Sequence, residues 1–414
     1  MTLALEQRLS ILRNIAETVQ NHFFNPKVEL GDWLKLFEEE HPKLAAIEDQ
    51  REFEQAVQLF LHSMNSSHIA FFHEDGSQVP IRFALHATLM EVAVNGGKRW
   101  AFLDVLPGGL AEKSGVLPGD ILVAVNDENL VPPSMPRLAL GTSVSLQIEG
   151  RDGSVRKTEI DLPAPKDKST PPLVVLQPIH HRKLADGIGY VAINSFPGDS
   201  GISFSRRLDA AIQDLKDCTR MIFDLRANIG GGLGSLRLMS YLCPGRVPIG
   251  YNLSRKRADR GYRKEKLIRI DGIPYSKLAQ LRLFVRFKYI HKDRSIALFT
   301  EGLGHQPFHG RIAIIVNEHT KSAAEMVADF ALRNNLATIV GSRTGGEVLG
   351  AVNFRVGEGY KLRIPIGGWI TWDDRMLERE GVAPHIEAKP TLDDLHAGKD
   401  VALDSALRTV GNGV

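Results

Sequence analysis

The stretch RIAIIVNEHTKSAAEMVADFA, Arg311 to Ala331, decides how the rest of the chain is read. Ile312–Val316 is a continuous apolar run of strand length, Asn317–Lys321 is a polar loop, and Ser322 opens an apolar helix. Ser322 followed three residues later by Glu325 is the signature of a capping box, in which the serine only closes a helix start. The same position is also where an α/β sheet exposes a reactive group, between a strand's C-terminal end and a helix N-terminus. There the unpaired N–H groups and partial positive charge of the helix end can meet a developing oxyanion.

Outward from this stretch, strands alternate with helices. "GIGYVAINSF" precedes helical "FSRRLDAAIQDLKD", "RMIFDLRA" precedes "LGSLRLMSYL", and "LATIVGSR" follows the helix opened by Ser322. This is the βαβ rhythm of an α/β layer over about residues 173–393. Within it "FDLRANIGGGLGS" sets three glycines, Gly230–Gly232, between a strand and a helix. Such a turn lets backbone N–H groups approach a ligand closely. Neither GxGxxG nor a P-loop lysine is present, so a nucleotide site is unsupported. A very basic stretch at about 250–305 interrupts the rhythm with "SRKRADRGYRKEK" and "RLFVRFKYIHKDR". It reads as a lid, an oligomer contact or a solvated face, with "LRLFVRFKYI" as an interface strand.

Towards the N-terminus, residues 1–75 read as a helical segment. Leu5, Leu9, Leu12, Ile15 and Val19 recur at helical spacing, as do the apolar residues of "DWLKLFEEEHPKL" and "REFEQAVQLFLHSM". The segment ends in "NSSHIAFF". Residues 76–165 shift to period two, with "IRFALHATLMEVAV", "WAFLDVLPGG", "DILVAVND" and "SVSLQIEGRDGSVRKTEIDL" as strands. The string "PGGLAEKSGVLPGDILVAVNDENL" resembles a PDZ domain of permuted, bacterial type. That resemblance implies uptake of an extended peptide as an added strand, with Gly108, Gly109 and Leu110 as the binding loop. The linker "LPAPKDKSTPP" then leads to the α/β domain, and residues 394–414 read as a C-terminal tail.

The chain of 414 residues, 43% hydrophobic and 24% charged, is long enough for two or three cores. A net charge of +2 gives no footprint for nucleic acid or an anionic membrane. Two cysteines, Cys218 and Cys243, without CxxC spacing, exclude a disulfide framework. No secretory leader pattern and no apolar run of membrane-spanning length occur, so the expectation is a soluble cytoplasmic protein.

Taken together, the order helical segment, PDZ-like module, "DLRxNxGG", strand–loop–"SAAE"–helix, "VGxxTGG" and "GVxPxIE" resembles the S41 family of serine peptidases. That family includes C-terminal processing proteases, the tricorn core peptidase and the retinoid-binding repeats. The resemblance runs from about residue 10 to 393 and implies a crotonase/ClpP-like α/β peptidase domain. It puts the nucleophile on Ser322 and the oxyanion donors on Ala323 N–H and one of Gly230 or Gly231. The processing proteases place a basic lysine in a "TxGKG" loop, but here "SRTGGEVLGA" has Glu347 at that position and Ala351 where a glutamine would follow. The tricorn-like branch instead implies His68 as general base, with Ser67 and a late glutamate orienting it. Glu378 matches that glutamate, with Glu380 and Glu347 as competitors; His319 is a local rival base, and His305 and His309 carry no role.

The implied activity is cleavage of unfolded peptides or protein tails through an acyl-enzyme, without metal or cofactor. A homo-oligomer is compatible with it. The alternatives are a silent relative that binds peptides or apolar ligands, and a scaffold whose PDZ-like module recruits a partner tail.

Overall fold

The computed structural model describes residues 3–74, 78–94, 96–164, 176–198, 201–285 and 295–411. Helices α1 (Leu5–His22), α2 (Leu30–Ala45) and α3 (Gln50–His62) open the chain. The Asp49 side chain caps α3 by accepting from the Glu52 N–H at 2.8 Å. Ile11, Leu12, Ile15 and Val19 are fully buried, while Leu5 is half exposed, so the apolar stripe of α1 begins one turn later than its spacing suggests. Strand β1 (Ala70–His73) follows these helices.

The module comes next: β2 (Gln78–Pro80), α4 (Ile81–Ala84), β3 (Ala87–Val94), β4 (Gly97–Val105), α5 (Leu110–Lys113), β5 (Ile121–Val125), β6 (Glu128–Asn129), β7 (Arg137–Ala139), β8 (Ser143–Glu149) and β9 (Val155–Asp161). Its main sheet has the order β3-β4-β5-β8-β9 over a core of Leu89, Phe102, Leu122, Leu146 and Ile148. The sequence run from Ile81 reads as strand throughout, but its first turn is the helix α4, which follows Pro80 at the N-cap. The linker beyond residue 164 lies outside the described residues up to 176.

The α/β unit then supplies β10 (Ile179–Lys183), β11 (Ile188–Ile193), α6 (Ile202–Asp214), β12 (Arg220–Asp224) and α7 (Gly234–Leu242). Next come β13 (Pro248–Ser254), α8 (Arg255–Asp259), β14 (Ile268–Ile270), α9 (Lys277–Val285) and β15 (Ile296–Phe299). The chain continues through β16 (Arg311–Val316), α10 (Ala323–Arg333), β17 (Thr338–Gly341), β18 (Leu349–Gly357), β19 (Tyr360–Thr371) and β20 (Ile386–Glu387). It ends in α11 (Leu392–His396) and α12 (Val401–Gly411).

One sheet has the order β10-β11-β12-β16-β17-β20, parallel from β11 onward. Val191, Phe223 and Ile314 point to α6, α7 and α10, and Ile222, Ala313 and Ile315 to α12. Alternate strand residues thus serve two buried faces, and the strands therefore read as continuous apolar runs.

The last stretch is therefore a structural helix and not a loose tail. Ala402, Ala406 and Val410 fall at helical spacing and close the sheet's second face. Arg226 anchors its start by binding both Asp224 and Asp400, and Asp400 accepts from the Leu403 N–H. The "DLR" of the sequence motif is this buried ion cluster.

A second sheet, β1-β19-β13-β15-β14 with β18 also on β19, joins the first strand of the chain to its last long hairpin. Val356, Tyr360, Leu362 and Ile364 complete the core of the N-terminal helices, so that segment is not a separate body. The basic insertion is built into the same sheet through β13 and β15. Its expected interface strand is helix α9 over Lys277–Val285, and residues 286–294 lie outside the described residues.

Candidate active site

Two loops at the C-terminal rim of the parallel sheet meet through their backbones. Thr320 donates its hydroxyl to the Leu225 carbonyl at 2.8 Å, and the Lys321 N–H reaches the Asn228 carbonyl at 2.8 Å. A Cβ on Gly230 would lie 2.6 Å from the Ser322 Cβ and 2.7 Å from the Ala323 nitrogen, so only glycine allows this approach. Gly231, at φ +137°, is pressed equally hard against the Phe196 carbonyl.

Ser322 has φ 55° and ψ −124°, a strained conformation for a residue with a side chain. Its hydroxyl makes no capping hydrogen bond. Instead the Glu325 N–H goes to the Ser322 carbonyl at 2.9 Å, and the Ser322 N–H goes to the Glu325 carboxylate and the Glu347 carbonyl, each at 3.0 Å. The glutamate half of the expected capping box is used, and the serine oxygen stays uncommitted.

Fully buried Glu325 also accepts from the Thr344 hydroxyl at 2.6 Å, the Gly346 N–H at 2.7 Å and the Glu347 N–H at 2.9 Å. It therefore clamps the "TGG" loop to the start of α10. Burial raises its pKa, and these four bonds oppose that rise.

The amides near Ser322 differ in availability. The Gly230 N–H is taken by the Asn228 side chain at 2.8 Å. Among the described residues, the N–H groups of Gly231 and Ala323 have no partner. Of the two glycines that the motif left open, Gly231 is the one free to donate.

Ser67 and His68 follow α3 on a bend, with His68 at φ 60°. The Glu378 carboxylate, fully buried, accepts from the Ser67 N–H at 2.8 Å, the Ser67 hydroxyl at 3.0 Å and the Val348 N–H at 3.1 Å. The Ser67 oxygen lies 2.8 Å from His68 Nδ1. Because Ser67 donates its proton to Glu378, it can only accept from the ring, which puts the imidazole proton on Nδ1 and leaves Nε2 as a base.

Burial lowers the His68 pKa; Glu347 raises it, and Arg363 and Lys321 lower it further. Burial raises that of Glu378 against its three hydrogen bonds.

Glu380 is not in this chain of bonds: it pairs at the surface with Lys27, which also holds the Glu378 carbonyl. Glu347 forms an ion pair with Lys321 and, among the described residues, accepts no hydrogen bond from the imidazole. The peptide unit between Glu347 and Val348 links the two halves of the site: its carbonyl accepts from the Ser322 N–H at 3.0 Å, and its N–H goes to Glu378, the partner of Ser67, at 3.1 Å. Among the described residues no hydrogen bond joins Ser322 to His68.

His319 turns away and meets the Leu89 carbonyl on β3 at 2.8 Å. Arg82 holds the Ala227 carbonyl at 2.6 Å, and Asn317 holds Asp104 at 3.0 Å. The module thus touches both loops that frame Ser322.

In its Gly108–Leu110 loop the amides of both glycines are engaged, while among the described residues that of Leu110 has no partner. The Gly108 N–H is taken by Glu112 at 2.7 Å, that of Gly109 by the Leu106 carbonyl, and that of Ala111 by the Leu85 carbonyl. Leu110 packs on the module core. The margins of the sheet are β3 and β9, and on β3 the Leu89 carbonyl is taken by His319. A cleft of about 1060 Å³ separates the module from the sheet rim and α12; Asn317 and Glu318 line it, while Ser322 does not.

Residues 187–388 match the peptidase family S41 model, and residues 102–139 match a PDZ domain. The chain carries a peptidase family S41 domain. It is 23% identical over 94% of its length to tricorn protease homolog 2 of Streptomyces coelicolor, spanning 31% of that protein. It is 21% identical to the carboxy-terminal processing protease CtpA of Bacillus subtilis over 69% of this chain, spanning 52% of that protein. The chain therefore covers about half or less of these relatives.

Among solved structures, the photosystem II D1 C-terminal processing protease superposes with a TM-score of 0.58 at 18% identity, covering 96% of this chain and 98% of that one. Mature CPAF complexed with lactacystin gives 0.61 at 14% identity, covering 98% and 97%. At those identities the likeness is one of fold, S41 domain and module together.

Proposed function

We propose that this S41 domain is an active serine peptidase that cleaves unfolded peptides or protein tails by a Ser322–His68–Glu378 mechanism. The observation that carries the reading is the bonded series Glu378–Ser67–His68, which fixes the imidazole tautomer and is tied to the Ser322 backbone through the Glu347–Val348 peptide.

In the first step Ser322 Oγ attacks the scissile carbonyl and its proton passes to His68 Nε2. The developing oxyanion lies against the N–H groups of Ala323 and Gly231 at the mouth of α10. Ser67 and Glu378 stabilise the imidazolium, which then gives its proton to the leaving amine. Water, deprotonated by the same nitrogen, releases the acyl group and restores Ser322. His68 is neutral at neutral pH because burial lowers its pKa, so it is poised to accept the proton. Peptide is expected to add to the module along β3.

A fluorophosphonate probe tests the reading. It should label the wild-type chain and leave Ser322→Ala unlabelled, with the label mapped to the peptide containing Ser322. An unlabelled wild type that still binds peptide would favour the second reading, a silent relative. The observation on that side is that, among the described residues, no hydrogen bond joins Ser322 to His68.

A further inference from the structure

The net charge of +2 is an average over a chain whose charge is strongly segregated. Residues 255–294 hold 14 of the 51 lysines and arginines and 4 of the 49 aspartates and glutamates, a net of +10 that leaves −8 on the other 374 residues. The proposed mechanism uses nothing in this insertion. Among the described residues, the side chains of Lys256, Arg260, Arg263, Lys266, Lys277 and Arg282 are exposed and have neither an ion pair nor a hydrogen bond.

Helix α9 adds an apolar element to that cationic one. Leu283 packs on the main core, and the helix turns its opposite arc to solvent. On that arc Leu278, Leu281 and Val285, at i, i+3 and i+7, form one strip and are 58%, 57% and 38% exposed. Helical spacing sets the exposed Lys277 along one border of the strip and the exposed Arg282 along the other.

An aliphatic strip with a cation on each border suits the boundary of a bilayer. There the apolar groups enter the acyl region while the long cationic side chains reach back to the headgroups. We infer that α9 docks flat on an anionic lipid surface, with the charge of the insertion supplying the attraction. The same surface repels the net negative charge of the rest of the chain, so the field orients the protein with the insertion facing the lipid. No described helix is long and apolar enough to cross a membrane, and the contact is with the surface alone.

Other occupants fit less well. Three part-exposed aliphatic side chains supply much less than the roughly 800 Å² per partner of a stable protein interface, whereas a charged plane acts on the whole insertion at once. The phosphate backbone of a nucleic acid would meet the cations but offers the strip nothing apolar.

Co-sedimentation of the full chain with vesicles tests the inference. At about 0.1 M salt the protein should pellet with phosphatidylcholine vesicles containing about one third phosphatidylserine and stay in solution with phosphatidylcholine alone; raising the salt to about 0.5 M should release it. Lys277→Gln combined with Arg282→Gln should weaken binding to the anionic vesicles about thirtyfold. Leu278→Ser combined with Leu281→Ser should weaken it about tenfold or more. Leu59→Ser, at a leucine 73% exposed on α3, should bind as wild type does.

All of these side chains are exposed, so melting temperatures should stay close to wild type. Tryptophan emission from Leu281→Trp should move to shorter wavelength when anionic vesicles are added. Absence of binding at about 0.1 M salt, or binding that survives both paired substitutions, overturns the inference. A dimer formed without lipid and lost in Leu278→Ser with Leu281→Ser also overturns it, by assigning the strip to a second copy. None of these readouts involves turnover, so the result stands or falls apart from the peptidase reading.

Discussion

Two glycine turns in this chain look alike on paper and do opposite things. Both follow a strand and precede a helix: Gly230–Gly231 before α7 and Gly108–Gly109 before α5. At the first, Asn228 takes one amide and leaves the next free beside Ser322. At the second, Glu112 reaches back from its own helix and consumes the Gly108 amide, and the Leu106 carbonyl takes that of Gly109. Glycine gives the backbone its approach in both cases. What decides availability is whether a side chain one helical turn away satisfies the amides first.

The largest test of this contrast removes the base. His68→Ala should lower kcat by about 10⁴-fold or more with the melting temperature close to wild type, measured by peptide turnover and calorimetry. Retained turnover would mean that the uncommitted serine is activated by something else.

Glu378→Gln should cost about 10²- to 10⁴-fold in kcat, because the amide can no longer accept from both Ser67 groups and Val348 without turning a donor toward one of them. A loss confined to KM would contradict its role in holding the imidazole.

The glycine pair can be compared directly. Gly230→Ala pushes a methyl into Ser322 and should lower turnover by about 10²-fold or more, whereas Gly109→Ala, whose methyl would meet the His86 Cβ at 2.7 Å, should reduce stability and leave fluorophosphonate labelling intact.

A pH series sharpens the same point. Activity requires neutral His68, whose pKa burial holds below the usual value of about 6.5, so kcat/KM should stay flat through neutrality and fall only at a more acidic pH. An acid limb above pH 7 would contradict that environment.

The smallest expected effect belongs to Glu112→Gln. It leaves the Gly108 amide bonded to a neutral acceptor and should change peptide affinity of the module by about twofold at most. A large gain would mark that loop as a carboxylate site after all.

Much of this was legible in the residues. The period-two module, the βαβ alternation and Ser322 at the strand–helix junction stand in local patterns, whereas the Ser67–His68 pair and Glu378 came from the family resemblance. Separating Glu378 from Glu380 needed coordinates: the two differ by two residues on one loop, and Glu380 makes a surface contact with Lys27. The terminal helix was missed because its buried residues are mostly alanine, a weak apolar signal. The start of the α1 stripe slipped because Leu5 fits the period yet has no partner to cover it.

The Ser67–Glu378 hydrogen bond joins residues 311 positions apart. Contacts of such sequence separation form late, after the entropy of closing the intervening chain has been overcome. A ribosome that has released the first 350 residues therefore carries a growing polypeptide with the serine already made and its imidazole still unoriented. In the proposed mechanism the serine therefore waits for residue 378 before its base is held in place.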